Sequence, residues 1–434
     1  MKKTYDVIGV GLGPFNLGMA ALTEDLEEVD ALLLERNSSF QWHPGLLLEG
    51  TTLQVPFLAD LVTMVCPSSR FSFLAYLHDI GRLYHFYFLE NFHIPRKEYN
   101  AYCQWVANRL SSCQYGVEVK DVTWSDEKGL YVVQAELQGQ TTFFYAKHVV
   151  FGIGSEPHLP NWSTVPSNNV FHSAEFAYRK EELTSASTIT VVGSGQSAAE
   201  VFLTLLQEQT QHQYELRWYT RSDGFFPMEY SKLGLEHFSP DYTNYFYQLS
   251  QHKKGEQLSK QDLLYKGISA DTISDIYQVL YERTIGQTPL NVRMMSKTSI
   301  VDILEKAGKL VLKANQWEQE ETFEFKSDYV VAATGYKTPS LSTFQGLLGD
   351  VMFDEWARPQ VNEQYDLKMF TERDGKLFIQ NGEMHTHGVG APDLGLGAYR
   401  NAVIINQIAG REVYKIRSKN IFQDFGVTKS LVEV

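Results

Sequence analysis

The sequence predicts an α/β fold: two units that each open with a strand, a Gly-rich turn and a helix, plus a smaller helical insertion. Three observations predict it. The first is "YDVIGVGLGPFNLGMAAL", residues 5–22, where a β-branched run, a glycine turn and an apolar helix follow in order. The second is the same pattern at "ITVVGSGQSAAEVFLTLL", residues 189–206. There Ala198, Val201, Phe202 and Leu205 recur at helical spacing and mark one buried face. The third is a change of composition toward Tyr, Gln, Ser and Lys. Within that region "DTISDIYQVLYERTI" puts Ile273, Ile276, Tyr277 and Leu280 on one helix face.

Two stretches read as crossings between the units. "HVVFGIGSEPHLPNW", residues 148–162, follows a Gly-rich strand end with Pro157 and Pro160. "DYVVAATGYKTPS", residues 328–340, ends in the same kind of turn and reads as the return. The expected organisation is one unit from residues 1–160 and 340–434, a second from 161–225 and 288–339, and the helical insertion at 226–287.

Composition bounds the rest. A chain of 434 residues with 43% apolar and 21% charged residues builds two or three ordinary cores. Its net charge of −14, without a Lys/Arg-rich run, argues against a nucleic acid or an anionic membrane as partner. No apolar run approaches the ~18 residues that span a bilayer. In "MKKTYDVIGVGLGP", Asp6 and three glycines interrupt any signal-like apolar stretch, so the segment reads as a first strand and the expected location is cytoplasmic. Cys66, Cys103 and Cys113 form no Cys-x-x-Cys pair, so neither a disulfide framework nor a dithiol centre is expected.

The turns carry the chemistry. Gly9, Gly11 and Gly13, followed by Pro14, let backbone approach a pyrophosphate at a helix N-terminus, whose free N–H groups and dipole favour phosphate. "ALLLER" then supplies Glu35 at the end of the next strand as a ribose acceptor. The second turn offers Gly193, Ser194, Gly195, Gln196 and Ser197. Its following strand ends in Arg221 and Ser222, where a guanidinium suits a 2′-phosphate; Asp223 next to them leaves NADH as the alternative to NADPH. Two dinucleotide sites in one chain point to FAD and NADPH in hydride exchange. Without a dithiol to accept the electrons, molecular oxygen is the expected oxidant and a monooxygenase the expected enzyme.

Seven segments, nearly end to end and in order, carry a resemblance: "GVGLGPFNL", "FQWHPG", "LQVPFLADL", "PRKEYNAYCQWVA", "GSGQSAAE", "AATGY" and "HTHGVGAPDLGLGAYR". Together they resemble the flavin-dependent N-hydroxylating monooxygenases: lysine and ornithine N-hydroxylases and the diamine hydroxylases of hydroxamate siderophore synthesis. The glycines of the "FxGxxxH" signature of related flavin monooxygenases are missing from "NVFHSAEFA". The resemblance implies two Rossmann-like domains, FAD on Gly9, Gly11, Gly13, Pro14 and Glu35, and Trp42 with His43 beside the flavin. It implies Leu53 and Gln54 near the ring, with Gln54 a hydrogen-bond donor. The NADPH turn is Gly193, Ser194, Gly195, Gln196 and Ser197, with Arg221 on the 2′-phosphate. His387, Gly388, Asp393 and Leu394 match a C-terminal loop that returns to the flavin. The implied chemistry runs through a C4a-hydroperoxyflavin attacked by a neutral amine, in an enzyme that is a homo-oligomer, a tetramer. No metal is expected, since the spacing of His385 and His387 brings no third ligand.

One position departs from the amino-acid hydroxylases. They read Gln-x-x-Phe-Leu-Lys-Asp-Leu, and their lysine pairs with the substrate α-carboxylate. This chain reads "QVPFLADL", with Ala59 in place of lysine. Leu235, in "LEHFSP", also replaces the asparagine that ornithine hydroxylases direct toward substrate. A substrate without a carboxylate fits both changes: a diamine, putrescine before cadaverine. The alternative is L-lysine or L-ornithine, with the carboxylate held by Arg96, Lys97 or Lys232. A third reading is a nucleotide-binding redox sensor without turnover. A diamine brings a second ammonium, for which Asp393, Glu236 and Glu383 are candidate acceptors, Asp393 first.

Overall fold

A computed structural model describes residues 3–163, 167–306 and 308–427. Strand Thr4–Val10 lies at the centre of the first sheet, with parallel neighbours Ala31–Glu35 on one side and Gln140–Phe151 on the other. Cys113–Tyr115 extends the sheet beyond Ala31–Glu35, and Leu377–Ile379 returns from the C-terminal region to pair with the end of Gln140–Phe151. The early half of that long strand instead joins an antiparallel meander with Val117–Ser125 and Leu130–Leu137.

Strand alternation divides the apolar side chains between two cores. Val7 and Leu33 face helices Pro14–Thr23, Arg96–Ala107 and Gly397–Ala409. Ile8, Val10, Leu32 and Leu34 face the meander and the 341–367 segment. Being covered on both sides explains the unbroken apolar runs "VIGV" and "ALLL". Each fully buried Leu, Ile or Val contributes about 1.5–3 kcal/mol.

The second sheet has five parallel strands, in the order Val292–Met295, Glu215–Tyr219, Thr188–Val192, Tyr329–Ala332 and Val170–His172. Helix Gln196–Glu208 buries Ala198, Val201, Phe202 and Leu205 against it, the face its spacing predicts. A three-stranded antiparallel sheet, Thr298–Lys306, Lys309–Gln316 and Glu321–Ser327, caps this unit and was not expected from the sequence. The predicted crossings pair with each other: Tyr336 lies opposite Pro157, and Lys337 opposite Glu156.

The helical region differs from expectation in two ways. Helix Ala270–Thr284 packs on helix Gln196–Glu208, so Ile276 joins the core of the second sheet. Tyr277, predicted on its buried face, is 70% exposed, because the contact follows the Ile273–Ile276–Leu280 line. Helix Pro240–Gln248 packs elsewhere, against the short helix Met384–His387 of the first unit's C-terminal region. Among the described residues, no helix is long and apolar enough to cross a membrane.

Candidate active site

The first turn is built to admit a ligand. Gly11 has φ +83°, and a Cβ there would lie 2.5 Å from the Gly152 carbonyl oxygen. Two strand ends therefore meet backbone to backbone at a position that favours glycine. Gly13 is extended at the N-cap of helix Pro14–Thr23, with nothing within 4 Å of a built Cβ and Pro14 in the first turn. Gly9 serves packing instead, since its missing Cβ leaves room for Leu33 Cδ1. Glu35 stands beside the turn and holds it: Oε2 accepts from the Leu12 N–H at 2.9 Å, and Oε1 from the Asn37 N–H at 2.9 Å. Asn16, which sequence reasoning passed over, donates to Gly11 O at 2.7 Å and accepts from Gln380 at 2.8 Å. Its presence in "GPFNL" was the one available signal.

The 42–54 segment lies against the return crossing, through His43 and Tyr336. Leu53 is buried and donates its N–H to Ile94 O at 2.8 Å. Next to it, the Gln54 Nε2 is buried without a hydrogen-bond partner among the described residues. Trp42 meets His43 and Tyr99 edge-on, each at 5.0 Å, and donates its backbone N–H to Asn100 Oδ1. His43 adopts the left-handed conformation, φ +45°, and lies 5.8 Å from Tyr336. Tyr336 belongs to the return crossing and also meets His172 at 5.1 Å; its hydroxyl is buried and unpartnered. Buried polar atoms normally find partners, so Gln54 and Tyr336 are two groups that, among the described residues, stay open to water or a bound molecule.

The second turn repeats the logic of the first. Gly193 has φ +144°, and a Cβ on it would fall 2.2 Å from Ala333 O. Gly195 caps helix Gln196–Glu208 in extended conformation. Ser194 Oγ lies 2.9 Å from Ser222 Oγ, which ties the turn to the loop where Arg221 stands exposed. Ser197 follows, half-buried. Gln196 is engaged within the protein: it donates to Glu200 at 2.8 Å and to Thr272 at 3.0 Å, and accepts from the Ser269 N–H at 2.7 Å. Its side chain is thereby tied to helix Ala270–Thr284, while its backbone stands in the first turn of helix Gln196–Glu208.

Arg96 extends that link. Its guanidinium meets Glu200 at 2.8 Å and donates to Thr52 O at 3.2 Å, joining the 51–54 segment to the second sheet's helix. The pair is buried, at 12% and 3% side-chain exposure, and is unavailable as a carboxylate anchor. Glu200→Ala is expected to destabilise the protein by about 3 kcal/mol, because Arg96 would stay buried and uncompensated. Thermal melting of the variant and of Arg96→Met/Glu200→Leu checks this: the single change lowers Tm by several degrees, and the double change recovers most of the loss.

The 59–61 segment and the 393–401 segment meet at the first turn, around a small cavity lined by Pro14, Phe15, Leu61, Tyr99, Leu394 and Asn401. Asp60 accepts from the N–H groups of Val62, Thr63 and Phe73 and from the Thr63 hydroxyl, which fixes the backbone around Ala59. Ala59 is buried, and Gly395 separates it from Asp393: a Cβ built on Gly395 would lie 2.8 Å from Asp393 Oδ1 and 3.8 Å from Ala59 Cβ. Asp393 caps the turn Leu394–Leu396 through the Gly395 N–H at 2.8 Å and pairs with no cation among the described residues. Burial pushes its carboxyl up to about 6, although backbone N–H groups and Arg400 pull the other way.

The other proposed acceptors are engaged. Glu383 is fully buried and paired with Arg400 at 3.0 Å. Glu236 accepts from the Phe422 and Gln423 N–H groups and from the Gln423 side chain. Leu235 sits 41% exposed on helix Lys232–Leu235, and Lys232 and Lys97 are exposed. His387 is buried between Tyr365, at 4.3 Å, and Tyr247, at 5.2 Å, with ring nitrogens toward Thr386 Oγ1 and Glu363 O. Burial lowers its pKa to about 3, so it is a neutral packing residue of the loop. Gly388, at φ +85°, ends helix Met384–His387 under Phe246. His385 faces Pro359 O. Among the described residues no group of three or more His, Cys, Asp and Glu is arranged to hold a metal.

Known proteins resemble the chain along nearly its whole length. Residues 3–338 match the model of the L-lysine 6-monooxygenase/L-ornithine 5-monooxygenase family. The chain is 43% identical to the rhizobactin siderophore biosynthesis protein RhbE of Rhizobium meliloti, over 98% of this chain and 96% of that protein. It is 41% identical to a putrescine N-hydroxylase of Shewanella oneidensis, over 98% and 84%. A solved structure of DfoA bound to FAD, the desferrioxamine-pathway cadaverine monooxygenase of Erwinia amylovora, superimposes with a TM-score of 0.95 at 38% identity, covering 99% of this chain and all of that one.

Proposed function

Because the chain belongs to the L-lysine 6-monooxygenase/L-ornithine 5-monooxygenase family, we propose that it N-hydroxylates a short aliphatic diamine, putrescine first and cadaverine second, toward a hydroxamate siderophore. The observation that carries the substrate class is the pairing of Ala59 with Asp393. Where an amino acid would need a cation, there is a methyl group; beside it stands a carboxylate that, among the described residues, has the Gly395 N–H as partner and no cation. Arg96 is committed to Glu200, which removes the best-placed substitute.

The first turn fits FAD: Gly11 and Gly13 would hold its pyrophosphate, and Leu53, Gln54, Trp42 and Leu394 would hold the flavin. The second fits NADPH, whose 2′-phosphate Arg221 would hold. Bound there, the two cofactors supply electrons and activate molecular oxygen. This chain's residues do the positioning. Asp393 holds the distal ammonium. The apolar wall of Leu53 and Ala59 desolvates the near amine, whose free pKa is about 10.4, and favours the neutral form that carries the nucleophilic lone pair. The Gln54 amide, without a partner among the described residues, would donate a hydrogen bond to the flavin. One methylene separates the two diamines and is worth only ~1–3 kcal/mol, so pocket length sets their order.

The test is hydroxylamine formation by purified protein with FAD and NADPH, on putrescine, cadaverine, L-ornithine and L-lysine at matched concentration. Product from the diamines supports the reading. Product from the amino acids alone overturns it, and NADPH use that no amine stimulates would instead favour a sensor. Arg221→Gln is expected to raise KM for NADPH by roughly 10- to 100-fold, the worth of a charge-assisted bond, with KM for NADH unchanged. Steady-state rates with both nucleotides check it; equal effects on the two would remove Arg221 from the 2′-phosphate.

A further inference from the structure

Two kinds of contact join the sheets near the candidate site. One is apolar: Leu46 and Leu48 enter the core of the second sheet and supply cohesion. The other is a polar clasp with Glu200 at its centre. Glu200 Oε1 accepts from Gln196 Nε2 and Oε2 from Arg96 Nη1, both at 2.8 Å. Gln196 opens helix Gln196–Glu208, one turn before Glu200 and directly after the second glycine turn. Arg96 is bound to the 51–54 segment: its N–H donates to Thr51 O at 3.0 Å and its Nε to Thr52 O at 3.2 Å. Thr52 and Pro95 form an antiparallel bridge there. The Arg96 charge also reaches His43 and Tyr336, where the return crossing meets the 42–54 segment.

We infer that Glu200 is a positioning residue for hydride transfer: through Arg96 and Gln196 it fixes the second glycine turn against the 51–54 segment. A buried ion pair adds little net stability over an apolar pair of similar volume. What it adds is direction. Charge-assisted bonds set a distance and an angle, whereas apolar contacts such as those of Leu46 and Leu48 tolerate sliding. Flavin reduction needs that precision. It moves a hydride, two electrons with one proton, from the nicotinamide ring to the flavin ring; a C–H bond breaks, an N–H bond forms, and NADP+ is left. The reacting atoms have to stand ~3–3.5 Å apart, and a displacement of about 1 Å costs roughly 100-fold. Glu200 acts through its neighbours. The inference rests on the cofactor placement above, which Arg221→Gln tests by itself.

The experiment compares FAD-loaded wild type with Glu200→Gln and with Arg96→Met/Glu200→Leu, without oxygen or amine. Flavin reduction by saturating NADPH is followed by absorbance. Backbone hydrogen exchange of the 51–54 segment is followed by mass spectrometry without NADPH. The double variant regains most of the melting temperature that Glu200→Ala loses, yet is expected to reduce its flavin ~30- to 100-fold more slowly than the wild type. Glu200→Gln keeps the shape and loses the charge, and is expected to lie between, at roughly 10-fold. Dithionite, which needs no nicotinamide, is expected to reduce all three alike. Exchange of the segment is expected to quicken at least ~5-fold in both variants. Wild-type reduction rates or wild-type exchange in the double variant would overturn the inference. So would rates that simply follow melting temperature, or slowed reduction by dithionite, since either assigns Glu200 to the stability of the fold or of the flavin site.

Discussion

Replacing Ala59 by lysine is expected to lower kcat/KM for putrescine by roughly 100-fold. The new ammonium reaches past Gly395 to the Asp393 carboxylate and takes the place of the substrate's distal ammonium. Losing one partner of a buried charge pair costs about 3 kcal/mol, which is that factor in rate. In Ala59→Lys/Asp393→Asn the lysine ammonium has no carboxylate to satisfy, so the double variant, and not the single one, is expected to gain turnover of L-ornithine. Asp393→Asn is the complementary variant: asparagine caps a helical turn as well as aspartate does, so the loop keeps its cap and loses only its charge. Diamine affinity should fall by a similar factor. The pH dependence has a definite sign. With its carboxyl at about 6, Asp393 is ionised and able to hold an ammonium above that pH, so KM for the diamine rises as pH falls through 6. The stability term runs the opposite way: the folded chain holds this proton more tightly than the unfolded chain, so the contribution is present in acid and disappears as pH rises through the same value. Steady-state kinetics from pH 5 to 8, on wild type and Asp393→Asn, separates the two. Should the variant keep both the affinity and the pH profile of the wild type, Asp393 is not the acceptor.

The second large effect is expected at Gly11. Alanine there meets the Gly152 carbonyl at 2.5 Å and must hold φ +83°, a conformation that alone costs an L-residue about 1–2 kcal/mol. The turn has to shift, and the N–H groups at the start of helix Pro14–Thr23 move away from where a pyrophosphate would lie. Gly11→Ala is expected to purify nearly free of flavin and to bind added FAD at least ~30-fold more weakly, by fluorescence titration. Full retention of FAD would mean that the pyrophosphate lies elsewhere.

Much of the fold, including the two glycine turns, was legible in the sequence. Strand–turn–helix units are local: the glycines that permit the turn, the proline that opens the helix and the apolar spacing that buries its face all lie within about twenty residues of one another. Hence the fold class, both turns, the Ala198–Leu205 face and the two crossings were read correctly. The absence of a lysine at 59 was equally plain, because an absence needs no partner to be seen.

Partnership was a different matter. Glu383 and Arg96 carry polar groups that a sequence reading offers to ligands, and the fold pairs them with Arg400 and Glu200; the Gln196 side chain likewise bonds Ser269 and Thr272. Asn16 meets Gln380 across nearly the whole chain. Tyr277 shows the same limit in packing, since helical spacing marks a face without saying how wide the contact on it will be. Periodicity and turn chemistry act over one or two helical turns and are written in the sequence. Which carboxylate is left without a cation beside Ala59, and which carboxylates are paired with arginine, depend on segments brought together by chain closure, and only the tertiary structure decides them.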